Sequence, residues 1–428
     1  MKKFILSCLL ITAINSYSQW ILQYDNTNIS LYDMQFTSIN TGFIVGAQNS
    51  TQYFLKTTNS GNNWSVSSIP YIASYQARLS FINDYTGWVC GLYDQTFGMV
   101  LKTTNQGQSW DSISVTVISG LIDIQFININ TGWTLARSIV HTGHSVYKTT
   151  NSGQNWFLQL TVNGGNFNLH NQHFVNSNVG YITGFDTTTK NSFIYKTING
   201  GLNWNKINVG GDFICDNLFF VNENTGYTVS GIGYISKTTN GGYNWIALTV
   251  PDWHNMHSSV FFLNESTGYI VGYKFSKSNS LIKKTINGGL NWIEQTNGSN
   301  VNLHSVLFIN SLTGWTVGDG KIFKTTNGGS TYINHISNEL PSTFFLYQNY
   351  PNPFNPTTNI QFLISNVQFV NLKIFNILGK EVETLVNEKL TPGTYEATFN
   401  ASKYPSGVYF YCINAGTYSE TKKMLLIK

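Results

Sequence analysis

Arginine is almost absent from this chain. Among 428 residues there are two, Arg78 and Arg137, and charged residues of all kinds make up only 10%. No lysine- or arginine-rich run is interleaved with aromatics, so no nucleic-acid partner is expected. The formal charge of +4 sits at the ends. Residues 19–340 balance 13 lysines and two arginines against 15 carboxylates, while residues 341–428 carry seven lysines against five glutamates. Cysteine is equally scarce. Cys8 lies in the first apolar run, and Cys90, Cys215 and Cys412 stand far apart on expected strands. That spacing gives neither a disulfide framework nor a paired-cysteine metal motif, and small buried side chains are the reading. Long apolar runs are missing too: the stretch from Phe4 to Ile14 is shorter than the roughly 20 residues a bilayer requires. Between Lys2-Lys3 and Ser16-Tyr17-Ser18 it reads as the core of a signal peptide over residues 1–18, leaving no transmembrane segment in the mature chain. No convincing helical periodicity appears either.

What is abundant is repetition. "KTTNSGNNW" at 56 returns, with small changes, at 102, 148, 196, 237, 284 and 324, the last copy ending in Tyr332. A second marker keeps step with it: "NTGFIVG" at 40, "YTGWVCG" at 85, "NTGWTLA" at 130, and four more. Each period reads as four short strands, as in "IDIQF", "GWTLA", "SVYKTT" and "NWFLQL" of the third repeat. Four strands per period of about 40 to 50 residues is the signature of a propeller blade. Seven periods predict seven blades. The start of the mature chain, "QWILQYDN", matches the fourth-strand pattern and offers a strand to close the ring and remove its open edges. The seventh repeat also carries its own candidate, "TYINHIS" at 331, so there are eight fourth strands for seven blades.

In the phrase K-T-T-N-x-G-x-x-W, Asn is expected to accept backbone N–H groups two residues on, Gly to supply positive φ, and Trp to pack between blades. The phrase resembles the Asp box of bacterial neuraminidase repeats, with Thr57, Asn59, Gly61 and Trp64 in its four positions. Trp110, Trp156, Trp204, Trp245 and Trp292 repeat the last of these. Asn replaces the box's Asp in every copy, which removes any carboxylate from that place and makes the phrase scaffold. Together with the "TG-aromatic" marker, residues 20 to 336 are similar to the photosystem II assembly-factor family. That resemblance implies the propeller fold. The family's arginine-rich binding face does not carry over, because only Arg78 and Arg137 exist. For the same reason a neuraminidase's three-arginine clamp cannot be built.

Composition shifts near Pro341, and three of the chain's eight prolines fall between 351 and 356. Alternating segments follow, "VNLKIFN", "GTYEATFNA" and "SGVYFYCI" among them, and suggest a small β-sandwich. This segment resembles the type A C-terminal sorting domain of the type IX secretion system of Bacteroidetes and relatives. The match rests on Pro351, Asn352, Pro353, Phe354, Asn355 and Pro356, then on Leu378-Gly379-Lys380-Glu381-Val382, and on Gly407, Tyr409, Lys422 and Lys423. It implies passage through the inner membrane by the leader and across the outer membrane by the sorting domain, with the secretion machinery as partner.

The expected class is therefore all-β: a seven-bladed β-propeller followed by a small immunoglobulin-like β-sandwich. The expected divisions are a signal peptide at 1–18, the propeller at 19–336, a linker at 337–345 and the sorting domain at 346–428. A glycan- or protein-binding role without catalysis fits best, in a monomer that is secreted or held on the cell surface. The alternative is a polysaccharide-active hydrolase or lyase with a carboxylate pair on the loop-rich face. Candidate ligand-binding residues are Trp253, the one tryptophan outside the repeat positions, with Asp252 and His254 beside it, and Arg137 with His141 and His144. His170, His257 and His304, with Asp33, Asp123 and Asp216, recur near the start of first strands and are expected to line the channel mouth. No cofactor, metal set, phosphate loop or nucleophilic triad is visible.

Overall fold

The computed structural model describes residues 20–428, apart from 71–76, 94–96, 115–118, 139–142, 164–166, 210–214, 249–253, 277, 296, 330–332, 338–340, 391 and 403. The expected signal peptide, Asp252, Trp253 and His141 thus lie outside the described residues. Regular structure among the described residues is entirely strand. None of it is a helix long and apolar enough to cross a membrane. The chain divides into two compact units, Met1–Gly329 and Ser330–Lys428.

Five sheets of the first unit each contain four consecutive antiparallel strands, as in Ser119–Phe126, Gly132–Ser138, Gly143–Thr149 and Phe157–Asn163 of the third repeat. A sixth sheet has six strands, because Ile21–Phe36 serves at both ends of the series. Its beginning pairs with Gly314–Thr325 of the seventh repeat (Ile21↔Lys324), and its end pairs with Gly42–Gln48 of the first (Phe36↔Gly42). "QWILQYDN" therefore supplies the fourth strand of the last repeat, a choice between two candidates that the sequence left open. The rival candidate goes elsewhere: Ile333–Ser337 pairs with Gly393–Asn400 in the second unit (Ile333↔Ala397). The division between units falls at 329/330 rather than after 336, because those residues find their backbone partners in the C-terminal sheet.

Seven hydrophobic clusters lie between successive repeats, and one of them joins the seventh to the first through Ile322, Trp315, Phe36 and Leu55. At each junction three rings meet. The Phe ending a first strand (Phe36, Phe81, Phe126, Phe174, Phe220, Phe262 or Phe308) stacks on the aromatic after "TG" in the preceding repeat, with centroids 3.5–3.8 Å apart. The phrase Trp of its own repeat stands edge-on to that Phe at 5.5–6.5 Å, with Trp20 filling the place in the seventh. The edge-on contact suits the ring quadrupoles, and the face-to-face pair buries two aromatic faces against each other. The "TG" glycine has the same origin. A Cβ on Gly132 would lie 2.7 Å from the Phe126 ring, so only a bare backbone lets the ring lie across the strand pair.

The second unit has two four-stranded antiparallel sheets that share one core, built from Leu346, Ile360, Phe362 and Tyr395 on one side and Val370, Leu372, Ile374 and Tyr411 on the other. Among the cysteines, Cys90 and Cys215 are buried free thiols and Cys412 is half-buried.

Candidate functional site

The repeated phrase closes a turn by local bonds. In each copy the Thr hydroxyl donates to the Asn Oδ1 at 2.8–3.1 Å and accepts the Gly N–H at 2.8–2.9 Å. The Asn Oδ1 also accepts the N–H four residues on, at 2.9 Å in six copies, and not the one two residues on that a simple Asx turn would use. Residues five and six of each phrase both have positive φ, from 62° at Gln106 to 95° at Gly201, a conformation Gly adopts without strain, and the sixth residue is Gly in every copy.

Lysine at the head of the phrase has a role that its recurrence in all seven copies signals but does not explain. In five copies its ammonium reaches the carbonyl of the fifth phrase residue in the next repeat, as Lys148 to Gly200 at 2.8 Å, Lys196 to Gly241 at 2.9 Å, Lys284 to Gly328 at 3.0 Å, and Lys324 back to Ser60 at 2.8 Å, while Lys56 meets the Gln106 side-chain Oε1 at 3.4 Å. On the way it passes over the "TG" aromatic, as Lys148 over Trp133 at 5.1 Å. Burial lowers the pKa of Lys284 to about 8.

The first strands carry a second set of ties. Asp33 Oδ2 accepts the Leu79 N–H of the next repeat at 3.0 Å, and Asp123 Oδ2 accepts that of Gln172 at 2.9 Å. Asn171 and Asn217, three residues before their Phe like the two aspartates, do the same for Leu218 and Val260 at 3.2 Å. Arg78 holds this position in the second repeat, between the two aspartates in chain order. Burial raises Asp33 and pushes Asp123 up to about 6, and the nearby Arg78 charge opposes both shifts.

Arg137 and His144 face one another across a strand pair, Arg137 exposed and His144 buried. Burial first, then the Arg137 and His170 charges, lower His144 to about 4. Burial also lowers His170, opposed by Asp216, whose Oδ1 lies 3.9 Å from its Nδ1. His144 Nδ1 and His170 Nε2 are buried without a hydrogen-bond partner among the described residues. The structure thus joins the two sequence-selected residues Arg137 and His144 to His170 and Asp216, in a polar cluster spanning three repeats. At neutral pH it presents one exposed guanidinium donor, with two neutral imidazoles and a carboxylate packed beside it. His257 is buried with Nδ1 3.5 Å from the Tyr234 carbonyl, His304 Nε2 meets Asp319 at 2.9 Å, and His254 is exposed. Among the described residues no three histidine, cysteine or carboxylate side chains converge as a metal would require.

In the second unit the proline-rich segment is fastened to the final strand. Phe354 is buried in the core, its N–H donates to Leu425 O at 3.0 Å, and its carbonyl accepts the Ile427 N–H at 3.0 Å. Asn352 Oδ1 accepts the Leu425 N–H at 2.9 Å. Buried Asn349 donates to Pro351 O and Thr358 Oγ1. Pro351, Asn352, Pro353 and Asn355 stay exposed, and Pro356 is half-buried. Tyr409 is buried, its hydroxyl donating to Pro405 O at 2.8 Å, while Lys423 is exposed.

Residues 348–428 match the family described as secretion system C-terminal sorting domain, and residues 12–161 match the family described as photosynthesis system II assembly factor YCF48. No curated protein matches the sequence. Among solved structures, YCF48 bound to D1 peptide is similar with a TM-score of 0.57 and 19% identity, over 73% of this chain and 96% of its own. YCF48 from Cyanidioschyzon merolae is similar with a TM-score of 0.58 and 15% identity, over 72% and 98%. Likeness at this identity is one of fold: the first unit is a β-propeller, and the segment after it is similar to the sorting-domain family.

Proposed function

We propose that the chain is an exported, seven-bladed β-propeller that binds a glycan or protein without catalysing a reaction, and that its C-terminal domain delivers it to the cell surface or the medium. The sorting-family match over 348–428 carries the export reading. Seven ring triads and seven inter-repeat clusters, the last joining the first, support seven blades around a channel. Two sheets sharing one core support the immunoglobulin-like reading of the second unit. The cluster of Arg137, His144, His170 and Asp216 is the ligand site favoured on the loop-rich face, and Asp252, Trp253, His254 and His141 remain candidates from the sequence. One solved propeller of this fold holds a peptide, which favours a peptide among the ligands.

The raised carboxyls of Asp33 and Asp123 favour the hydrolase alternative. Against it, both side chains are occupied with backbone ties, and Asn171 and Asn217 make the same ties with no carboxyl at all. Ending the chain after Gly329 should leave a folded propeller trapped in the periplasm, read by cell fractionation. Normal surface delivery of that truncation would defeat the sorting assignment. A glycan and peptide array run beside a sugar-release assay separates binder from hydrolase: release abolished by Asp123→Asn would establish the enzyme.

A further inference from the structure

A second surface lies on the opposite side of the strands, among the phrase turns, and nothing in the scaffold accounts for it. The third and seventh residues of the phrase face solvent. In the first three repeats they are polar: Thr58 and Asn62, Thr104 and Gln108, Thr150 and Gln154. In the next three all but Thr239 turn apolar. Ile198 and Leu202 are 67% and 73% exposed, Tyr243 is 54% exposed, and Ile286 and Leu290 are 56% and 71% exposed. The turn itself is unchanged: Thr149, Asn151 and Gly153 make the same bonds as Thr197, Asn199 and Gly201. Folding therefore gives no reason for the change.

These side chains stand on consecutive turns that are tied to one another. Lys196 ties the fourth repeat to Gly241 of the fifth, and Lys237 ties the fifth to Gly288 of the sixth. Lys196 also lies over the Tyr243 ring at 4.4 Å. Exposed apolar side chains repeated on consecutive turns mark an interaction surface. Two carboxylates flank it. Glu223 and Glu265 are exposed on the adjoining turns, whose backbones accept the Gly241 and Gly288 N–H groups through Asn224 and Ser266. Asn176 and Asn222 of the preceding repeats each donate to one of these carboxylates at 2.7 Å and hold it in place. The phrase lysines, by contrast, point inward to carbonyls.

The geometry points to a protein-docking arc on the phrase-turn face of the fourth to sixth repeats, taking a polypeptide whose aliphatic side chains are bracketed by lysine or arginine. A sugar fits poorly, because the one ring available is covered by Lys196. An anionic membrane fits poorly beside two carboxylates.

The test uses the purified full chain and two fluorescein-labelled peptides, one alternating leucine with lysine and one alternating leucine with glutamate, read by fluorescence anisotropy. The leucine–lysine peptide should bind and the leucine–glutamate peptide should not. Ile198→Thr, Leu202→Gln, Ile286→Thr and Leu290→Gln together install the residues of the third repeat, so the fold should persist, checked by thermal melting. This variant should weaken binding about ten-fold or more, as expected for the centre of an interface. Glu223→Gln and Glu265→Gln should each weaken it by about two- to five-fold, the range of an exposed ion pair. Equal binding of both peptides, no binding, or binding indifferent to these variants overturns the proposal. So does self-association of the full chain, in sedimentation, that the four-residue variant abolishes, for the occupant would then be a second copy.

Discussion

Asp123 occupies a place where the fold needs an acceptor, not a charge. Asn171 and Asn217 make the equivalent tie to the next repeat without one. Burial gives the folded carboxyl a pKa of about 6 against 3.8. The folded state therefore holds its proton to higher pH than the unfolded state. The contribution is fully present below the unfolded pKa and is lost as pH rises through the folded one, about 3 kcal/mol across the window. His144 runs the opposite way. Its folded pKa is depressed to about 4, so its contribution is present above 6.5 and is lost as pH falls. Comparing wild type with Asp123→Asn removes that background. The variant should gain relative to wild type by up to about 3 kcal/mol between pH 4 and pH 8, measured by urea unfolding at both. A difference that does not change with pH would show that burial is not what this carboxyl feels. None of this was legible in the sequence beyond the recurrence of Asp or Asn at one place, because burial is a property of the neighbours.

At the level of the strand pair, the "TG" glycine and the Phe opposite it form one device. Sequence made both visible as markers, and their relation appeared only when Phe126 was seen to lie over Gly132 and stack on Trp88 at 3.6 Å. Gly132→Ala places a methyl 2.7 Å from a ring that has nowhere to go. The expected cost is about 1–3 kcal/mol, the range for overpacking. In a Phe126→Leu background the same substitution should cost less, and a double-mutant cycle of denaturation midpoints checks it. Additive losses would mean that the ring and the glycine do not interact. The phrase turn was the most legible element of all, since its Thr, Asn and Gly bond within nine residues; only the identity of the N–H that Asn accepts had to be corrected.

Over the whole propeller, the decisive feature is that one strand belongs to both ends. Trp20 is fully buried, its Nε1 donates to Gln295 Oε1 at 2.9 Å, and Ile21 pairs with Lys324. Deleting residues 20–28 should cost about 3–5 kcal/mol for the lost indole alone. It should also open an unpaired edge along Gly314–Thr325, read as a lower melting temperature and faster proteolysis in the seventh repeat. Unchanged melting and cleavage would mean that the ring does not depend on this closure.

By itself, the sequence determined the period, the all-β class, the turn chemistry of each phrase and the sorting domain. All of these are written in residues a few positions apart, where spacing and backbone preference suffice. Tertiary structure decided which of two equivalent segments closes the propeller. Ile21 and Lys324 are distant in the chain, as are Ile333 and Ala397, and only competition between open sheet edges settles such pairings. It also decided what the lysines hold, which acids are buried, and that Arg137 and His144 lie close to His170, which in turn meets Asp216. Those contacts run sideways between repeats, so they depend on how adjacent sheets are placed and leave no trace in the order of residues along any one of them.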